Sequence, residues 1–373
     1  MTPPASSRSS IPAAPASKAS ADAHSAVASS RTRTGRQAKL AVLLSLLLPA
    51  ISGCYLTHVA AGQLRLLRAS RPVAEVLAEP DTSEELRAQL ALVEAARGFA
   101  RNLGLEVGGQ YTRYAAWEGD RVVTAVVATE PGNLEPAGFW FPIVGSLPYK
   151  GFFDPALAER QAERLRAKGM DVCVVPVPAY STLGWFDDPV TGPMLRSAPG
   201  RLVETLIHEL VHATVYLPEQ ADFNEGVATF IGEEASVRFW DDRGEPAAAE
   251  RRRQEVEEDR RLDAVRLAFR ERVAALYAET EPGAERDARR AAAESETRAA
   301  IAALSFETRA AGALARALPL NDACLALAAT YTADLPAYDR RLDSLEGDLP
   351  AFVRELGAAS EAENPREVLL GLP

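Results

Sequence analysis

The sequence predicts an α+β fold, mostly helical, with a small β-sheet and a long charged helical hairpin. Three observations predict it. Valine-rich runs, Val122–Thr129 and Val172–Val177, are confined to one part of the chain, and short β-branched runs of this kind suit strands. On both sides of them apolar residues recur at helical spacing. From Pro246 to about residue 318 the chain becomes dense in Ala, Arg and Glu while keeping one apolar stripe, as a helix does with one face packed and the rest in water. The chain has 373 residues, 47% of them apolar and 25% charged, an ordinary globular composition. A formal net charge of −11 argues against a nucleic-acid partner, which needs clustered positive charge to displace counterions. Three cysteines cannot build a disulfide framework.

Residues 1 to about 38 are rich in Ser, Ala, Pro and Arg and read as a disordered leader. Arg31, Arg33, Arg36 and Lys39 then precede an apolar run, Leu40–Ala50. At about 11 residues it falls short of the ~20 a membrane-spanning helix needs, and with its basic flank it reads as a secretory signal. Ile51-Ser52-Gly53-Cys54 follows and resembles the lipobox of bacterial lipoproteins. That resemblance implies cleavage before Cys54, lipid on its sulfur, and a body anchored to the membrane and facing the periplasm. With Tyr55 rather than Asp behind the cysteine, it points to the outer membrane rather than the inner. The leader's length also leaves room for a downstream translation start. Cys173 and Cys324 sit in apolar company, VCVV and ACLAL, and read as two separate buried thiols.

Helices are expected near 56–69 and 83–103, the second opened by Asp81-Thr82-Ser83-Glu84-Glu85, which offers caps and first-turn acids. Gln110–Trp117 and Val122–Thr129, separated by Glu118-Gly119-Asp120 and its neighbours, suggest a β-hairpin. A helix at 155–168 and a strand at Val172–Val177 follow, then a loop around Asp187-Asp188-Pro189. Helices are read over Arg201–Tyr216 and from Asp222 to about Trp240. Leu262, Val265, Phe269, Val273 and Leu276 mark one stripe of a long helix, broken at Glu281-Pro282-Gly283 and resumed over Arg286–Ala317. A projecting hairpin with solvated charged faces is the simplest picture. Helices at Asn321–Tyr331 and beyond Pro336 complete the chain.

His208-Glu209-Leu210-Val211-His212 carries the chemistry. Residues four apart share a helix face, so both imidazoles can reach one ion, and Leu202, Val203, Leu206, Leu210 and Val211 supply the apolar band such a helix needs. One zinc ion suits these ligands, and a catalytic zinc takes three protein ligands and leaves a position open. Glu209 would stand beside it as the base that takes a proton from water. The third ligand is argued by elimination: of the other histidines, His24 lies in the leader and His58 lies four residues after Cys54. A carboxylate is therefore expected, and Glu225 is preferred to Glu219 and Asp222. Gly226 beside it would admit a close helix approach. The rival reading of Glu225 is a capping box with Asp222. Glu204, one turn before His208, reads either as a hydrogen-bond partner of that histidine or as a surface carboxylate.

HELVHATVYLPEQADFNEGVATFIG resembles the active-site segment of zincin-fold metallopeptidases of the glutamate-ligand type. More narrowly, it resembles a bacterial family of predicted zinc aminopeptidases that are often lipoproteins. Tyr55–Leu67, Ala179–Pro189 and Asn321–Tyr331 resemble segments of the same family. The resemblance implies zinc held by His208, His212 and Glu225, Glu209 as base, and peptide substrates. Composition and periodicity together with this resemblance divide the chain into a leader (1–53), a zincin-like core (54–240), the charged hairpin (241–318), which matches no motif of the family, and C-terminal helices packed on the core (319–373). An oxyanion-stabilising phenol is sought in Tyr331 or Tyr180, and a binder of the substrate ammonium in Asp187 and Asp188 near Trp185. A turn explains the two acids equally well. The function expected is a lipid-anchored zinc aminopeptidase; the alternatives are an envelope endopeptidase with the same site, or a non-catalytic helical scaffold.

Overall fold

Helix caps and β-branched runs divide the chain largely where the periodicities place them. The computed structural model describes residues 55–141, 145–180, 182 and 187–371. The chain clusters into two units, 1–57 and 58–373, and of the first only residues 55–57 are described. The expected signal run Leu40–Ala50, the lipidation candidate Cys54, and Trp185 lie outside the described residues.

In chain order the elements are α1 (Tyr55–Ala69), β1 (Ser70–Pro72), α2 (Val73–Ala78), α3 (Glu84–Leu103), β2 (Arg113–Ala115), β3 (Val123–Thr129), β4 (Phe139–Phe141), β5 (Gly145–Leu147) and β6 (Tyr149–Phe152). Then come α4 (Pro155–Arg166), β7 (Asp171–Val177), β8 (Val190–Thr191), α5 (Gly192–Leu195), α6 (Pro199–Thr214) and α7 (Ala221–Asp242). The remainder is α8 (Pro246–Glu279), α9 (Ala284–Ala302), α10 (Ala311–Ala317), α11 (Asp322–Thr332), α12 (Leu335–Ser344), α13 (Leu349–Ala359) and α14 (Pro365–Leu370). The fold is thus α+β and mostly helical, as predicted. No helix among the described residues is long and apolar enough to cross a membrane.

Local chemistry sets the boundaries. Ser83 accepts a hydrogen bond from the Leu86 amide to open α3, and Gly104, at φ 92°, closes it in the left-handed conformation that glycine adopts without strain. Asp154 and Asn321 cap α4 and α11 in the same way as Ser83, each through its own side chain.

The expected hairpin between residues 110–117 and 122–129 does not form. β2 instead pairs antiparallel with β1 and parallel with β8. β3 is buried along its whole length and lies between β6 and β7, antiparallel to both. A strand has two hydrogen-bonding edges, and both edges of β3 are taken, by β6 and β7, while the helices α4 and α11 pack against it. Nearness in sequence loses to burial on both faces.

The two cysteines are likewise not separate thiols. Cys173 on β7 and Cys324 on α11 form a disulfide, S–S 1.96 Å, with their Cα atoms 5.1 Å apart. Packing α11 against the sheet brings the side chains within bonding geometry, which apolar neighbours in sequence do not prevent.

The charged hairpin exists as α8 and α9, but its faces are not simply solvated. Along α8, Ala249, Arg252, Val256 and Glu258 are buried, and the predicted stripe continues with Leu262, Phe269, Val273 and Leu276. That stripe packs with Leu134, Ala293, Ile301, Leu320 and Leu325 in a core of its own. The helix expected over 286–317 is interrupted: α9 ends at Ala302 and α10 begins at Ala311.

Candidate metal centre

The site is built on α6 and α7. On α6, Leu202, Val203, Leu206, Ile207, Leu210 and Val211 are buried in the main core, which orients the helix and turns His208 and His212 to one side. The loop from 215 to 220 reverses the chain, helped by Glu219 at φ 64°. Buried Asn224 closes it: its Nδ2 donates to the Leu217 carbonyl (2.7 Å) and its Oδ1 accepts from the Leu217 amide (2.9 Å). The next residue is Glu225, which this turn delivers beneath the two histidines. The α6–α7 contact is made through Gly232, where an added Cβ would lie 3.1 Å from the Glu204 carbonyl and 3.4 Å from the His208 Cβ. Gly226, expected at that contact, admits the Tyr338 ring of α12 instead, 3.4 Å from the same hypothetical atom.

Three ligand atoms meet. His208 Nε2 and His212 Nε2 are 3.1 Å apart, and Glu225 Oε2 lies 3.3 Å from the first and 3.4 Å from the second. A tetrahedral ion with ligand distances of about 2.0–2.2 Å separates its ligands by roughly 3.3–3.6 Å, so the triangle is close to the size of one face of such a polyhedron. Two imidazole nitrogens and a carboxylate oxygen are also chemically suited to a divalent ion. Among the described residues this is the group of His, Cys, Asp or Glu side chains that could hold a metal ion.

Electrostatics agree with the geometry. Burial alone would raise the Glu225 carboxyl, but the two imidazoles beside it outweigh that and hold it well below the usual carboxylate range. Burial would lower His212, and Glu225 overcomes it, raising the imidazole. His212 Nδ1 is buried with no hydrogen-bond partner among the described residues.

Glu209 is partly exposed on the same helix. Its charge contributes to raising the phenols of Tyr111, Tyr149 and Tyr331, behind burial at Tyr111 and Tyr331 and behind Glu225 at Tyr149. Tyr331, from α11, stacks on His208 with ring centroids 6.2 Å apart and planes 18° from parallel. The predicted residues His208, Glu209, His212, Glu225 and Tyr331 are therefore together.

Other candidates are placed elsewhere. Tyr180 packs on Phe153, centroids 4.8 Å apart, in a cluster with Leu66, Val122 and Trp117. Glu219 and Asp222 are exposed and outside the ligand group. The cap of α7 falls at Gln220 rather than Asp222, so Glu225 is not the far end of a capping box. His58 accepts from the Phe153 amide at 3.1 Å. Glu204 is neither a partner of His208 nor a free surface group: it pairs with Arg252 (2.6 Å) and Arg201 (3.0 Å). Asp188 is buried, accepts from the Thr182 amide and hydroxyl, and is pushed up to about 7 by burial. It is a loop clamp, as the turn reading has it, while Asp187 is exposed.

Sequence reasoning passed over one member. Tyr149 on β6 donates from its phenol to Glu225 Oε1 at 3.2 Å. It lies 76 residues from Glu225, and no local motif links them.

Residues 54–369 match the model of a protein family described as "Putative aminopeptidase". No curated protein and no solved structure shows detectable similarity to the chain.

Proposed function

From the premise that this chain belongs to that aminopeptidase family, we propose that it is a zinc-dependent metallopeptidase acting as an aminopeptidase, with a zincin-type site. The observation that carries this is the triangle of His208 Nε2, His212 Nε2 and Glu225 Oε2 with Glu209 one residue along the same helix. A purely structural metal site has no need of a base beside it. These three side chains would hold the ion. When bound, the metal supplies Lewis acidity, lowering the pKa of water towards ~7 and sharing the charge of a developing oxyanion.

The protein's own groups do the rest. Glu209 takes the proton of the attacking water and passes it to the leaving amine. Tyr331, its phenol kept protonated by burial and by the nearby carboxylates, donates a hydrogen bond to the carbonyl oxygen as negative charge develops there. The apolar face of α6 keeps the ligand helix rigid against the core, so the donors stay aimed.

We further propose that the protein is lipid-anchored through Cys54 and faces the periplasm, on the outer membrane. The basic flank and apolar run before Cys54 support this, and so does the Cys173–Cys324 disulfide, because such bonds persist in oxidising compartments.

Elemental analysis of the purified protein should find one zinc per chain. Aminoacyl reporter substrates should be cleaved, and chelation should stop the cleavage until zinc is restored. Cleavage of N-blocked peptides as fast as free ones would replace the aminopeptidase reading with an endopeptidase. Absence of any chelator-sensitive hydrolysis would leave the scaffold reading.

A further inference from the structure

The two oxygens of Glu225 have different partners. Oε2 faces both histidines, at 3.3 and 3.4 Å, while Oε1 accepts from the Tyr149 phenol at 3.2 Å. A glutamate with both oxygens free can swing or bind through both; one with an oxygen already engaged offers a single ligand atom in a fixed direction. The Tyr149 ring is itself held from the other side. In the sheet, Val127 of β3 is the cross-strand partner of both Tyr149 on β6 and Cys173 on β7. That row packs against α11 through the bond from Cys173 to Cys324, and Tyr149 rests on the cluster of Val127, Cys173, Ala323 and Cys324. Strand register and disulfide thus fix where the hydroxyl stands.

We propose that Tyr149 is a positioning residue for the metal ligand Glu225, holding Oε1 so that only Oε2 is presented to the ion. This rests on the metal reading above. Partners that orient a metal ligand in this way typically govern affinity by roughly 10- to 100-fold.

The test is Tyr149→Phe in the whole protein, since phenylalanine keeps the ring that packs on Val127 and the disulfide. Zinc affinity is measured by competition with a chromogenic chelator, and the thermal midpoint of the metal-free chain is measured alongside. The expected result is zinc binding weaker by roughly 10-fold or more with an unchanged metal-free midpoint. With cobalt as the probe, the visible bands should weaken as the released carboxylate engages through both oxygens and raises the coordination number. Peptidase activity should return at saturating zinc. Equal zinc affinity and equal cobalt spectra in parent and variant would overturn the proposal. So would a loss of affinity matched by a fall in the metal-free midpoint, or activity that stays low at saturating zinc, which would make the phenol a catalytic donor. If the parent itself binds no zinc, the metal reading fails first and this proposal with it, and the parent's titration alone shows that.

Discussion

Charged groups are buried both along α8 and between α6 and α7, and they are buried differently in the two places. Along α8, Arg252 is 1% exposed and each arm of its guanidinium is used: Nε on Ser236, one terminal nitrogen on Glu255 and the other on Glu204. Glu258 is 0% exposed and accepts from the Thr308 amide and hydroxyl. Arg260 bridges Glu233, Glu234 and Asp339. These groups satisfy one another. Between α6 and α7, by contrast, two imidazoles and a carboxylate direct their ligand atoms at one point, with His212 Nδ1 left without a partner among the described residues. Burying charge costs several kcal/mol unless it is compensated. A cluster that compensates itself is architecture, whereas one whose lone pairs converge on a point could hold a cation from outside.

The largest expected effect would break that contrast on the site's side. Glu209→Gln should lower hydrolysis by roughly 10²- to 10⁴-fold, the share usual for a general base, while leaving zinc content at one per chain. Parental rates in that variant would remove Glu209 from the chemistry and reduce the site to a structural one.

The second effect tests the architectural cluster. Arg252→Ala strips the shared cation from Glu204 and Glu255, and removing one partner of a buried pair typically costs about 3–5 kcal/mol. Urea unfolding should show a loss of that order, with zinc affinity little changed in the folded fraction. A large fall in zinc affinity at intact stability would mean that the α8 cluster reaches the site through Glu204 and α6, and the two regions would no longer be separable.

The smallest effect sharpens the comparison with a group of neither kind. Asp188 is buried with no cation paired to it among the described residues, and its carboxyl is pushed from the usual value of 3.8 up to about 7, chiefly by burial, with Glu209 adding to the rise. An acid with a raised folded pKa binds protons more readily folded than unfolded, so it makes stability fall as pH rises from about 4 to about 7. Asp188→Asn, which retains an acceptor for Thr182, should flatten that slope and gain stability at pH 7 and above. Chemical denaturation across that range measures it, and an unchanged slope would mean Asp188 is ionised throughout.

Much of the site was legible because its parts are local. The four-residue spacing of His208 and His212 needs only a helix, and the thirteen residues to Glu225 need only a reversal, which Asn224 and the loop before it provide. Tyr331 was legible only as one of two candidate phenols in a chain poor in histidine, with no local spacing to choose it over Tyr180. Tyr149 left no trace, because it reaches Glu225 only once β6 pairs with β3, and the expected hairpin paired β3 with residues 110–117 instead. Gly232 was missed in favour of Gly226 because the helix crossing depends on how α6 and α7 are rotated against each other, which composition does not encode.

By itself, then, the chain's order of residues determined where helices begin and end, which face of α6 is apolar, and which side chains are equipped to grip an ion. Helical period, capping and ligand chemistry act within a turn or two, so they can be read along the chain. Only the tertiary structure decided which strands flank β3, that Cys173 meets Cys324, that Arg252 of α8 is buried among acids, and which oxygen of Glu225 faces the histidines. Those choices come from competition among distant surfaces for the same burial and the same hydrogen bonds, and that competition is resolved only when the whole chain packs.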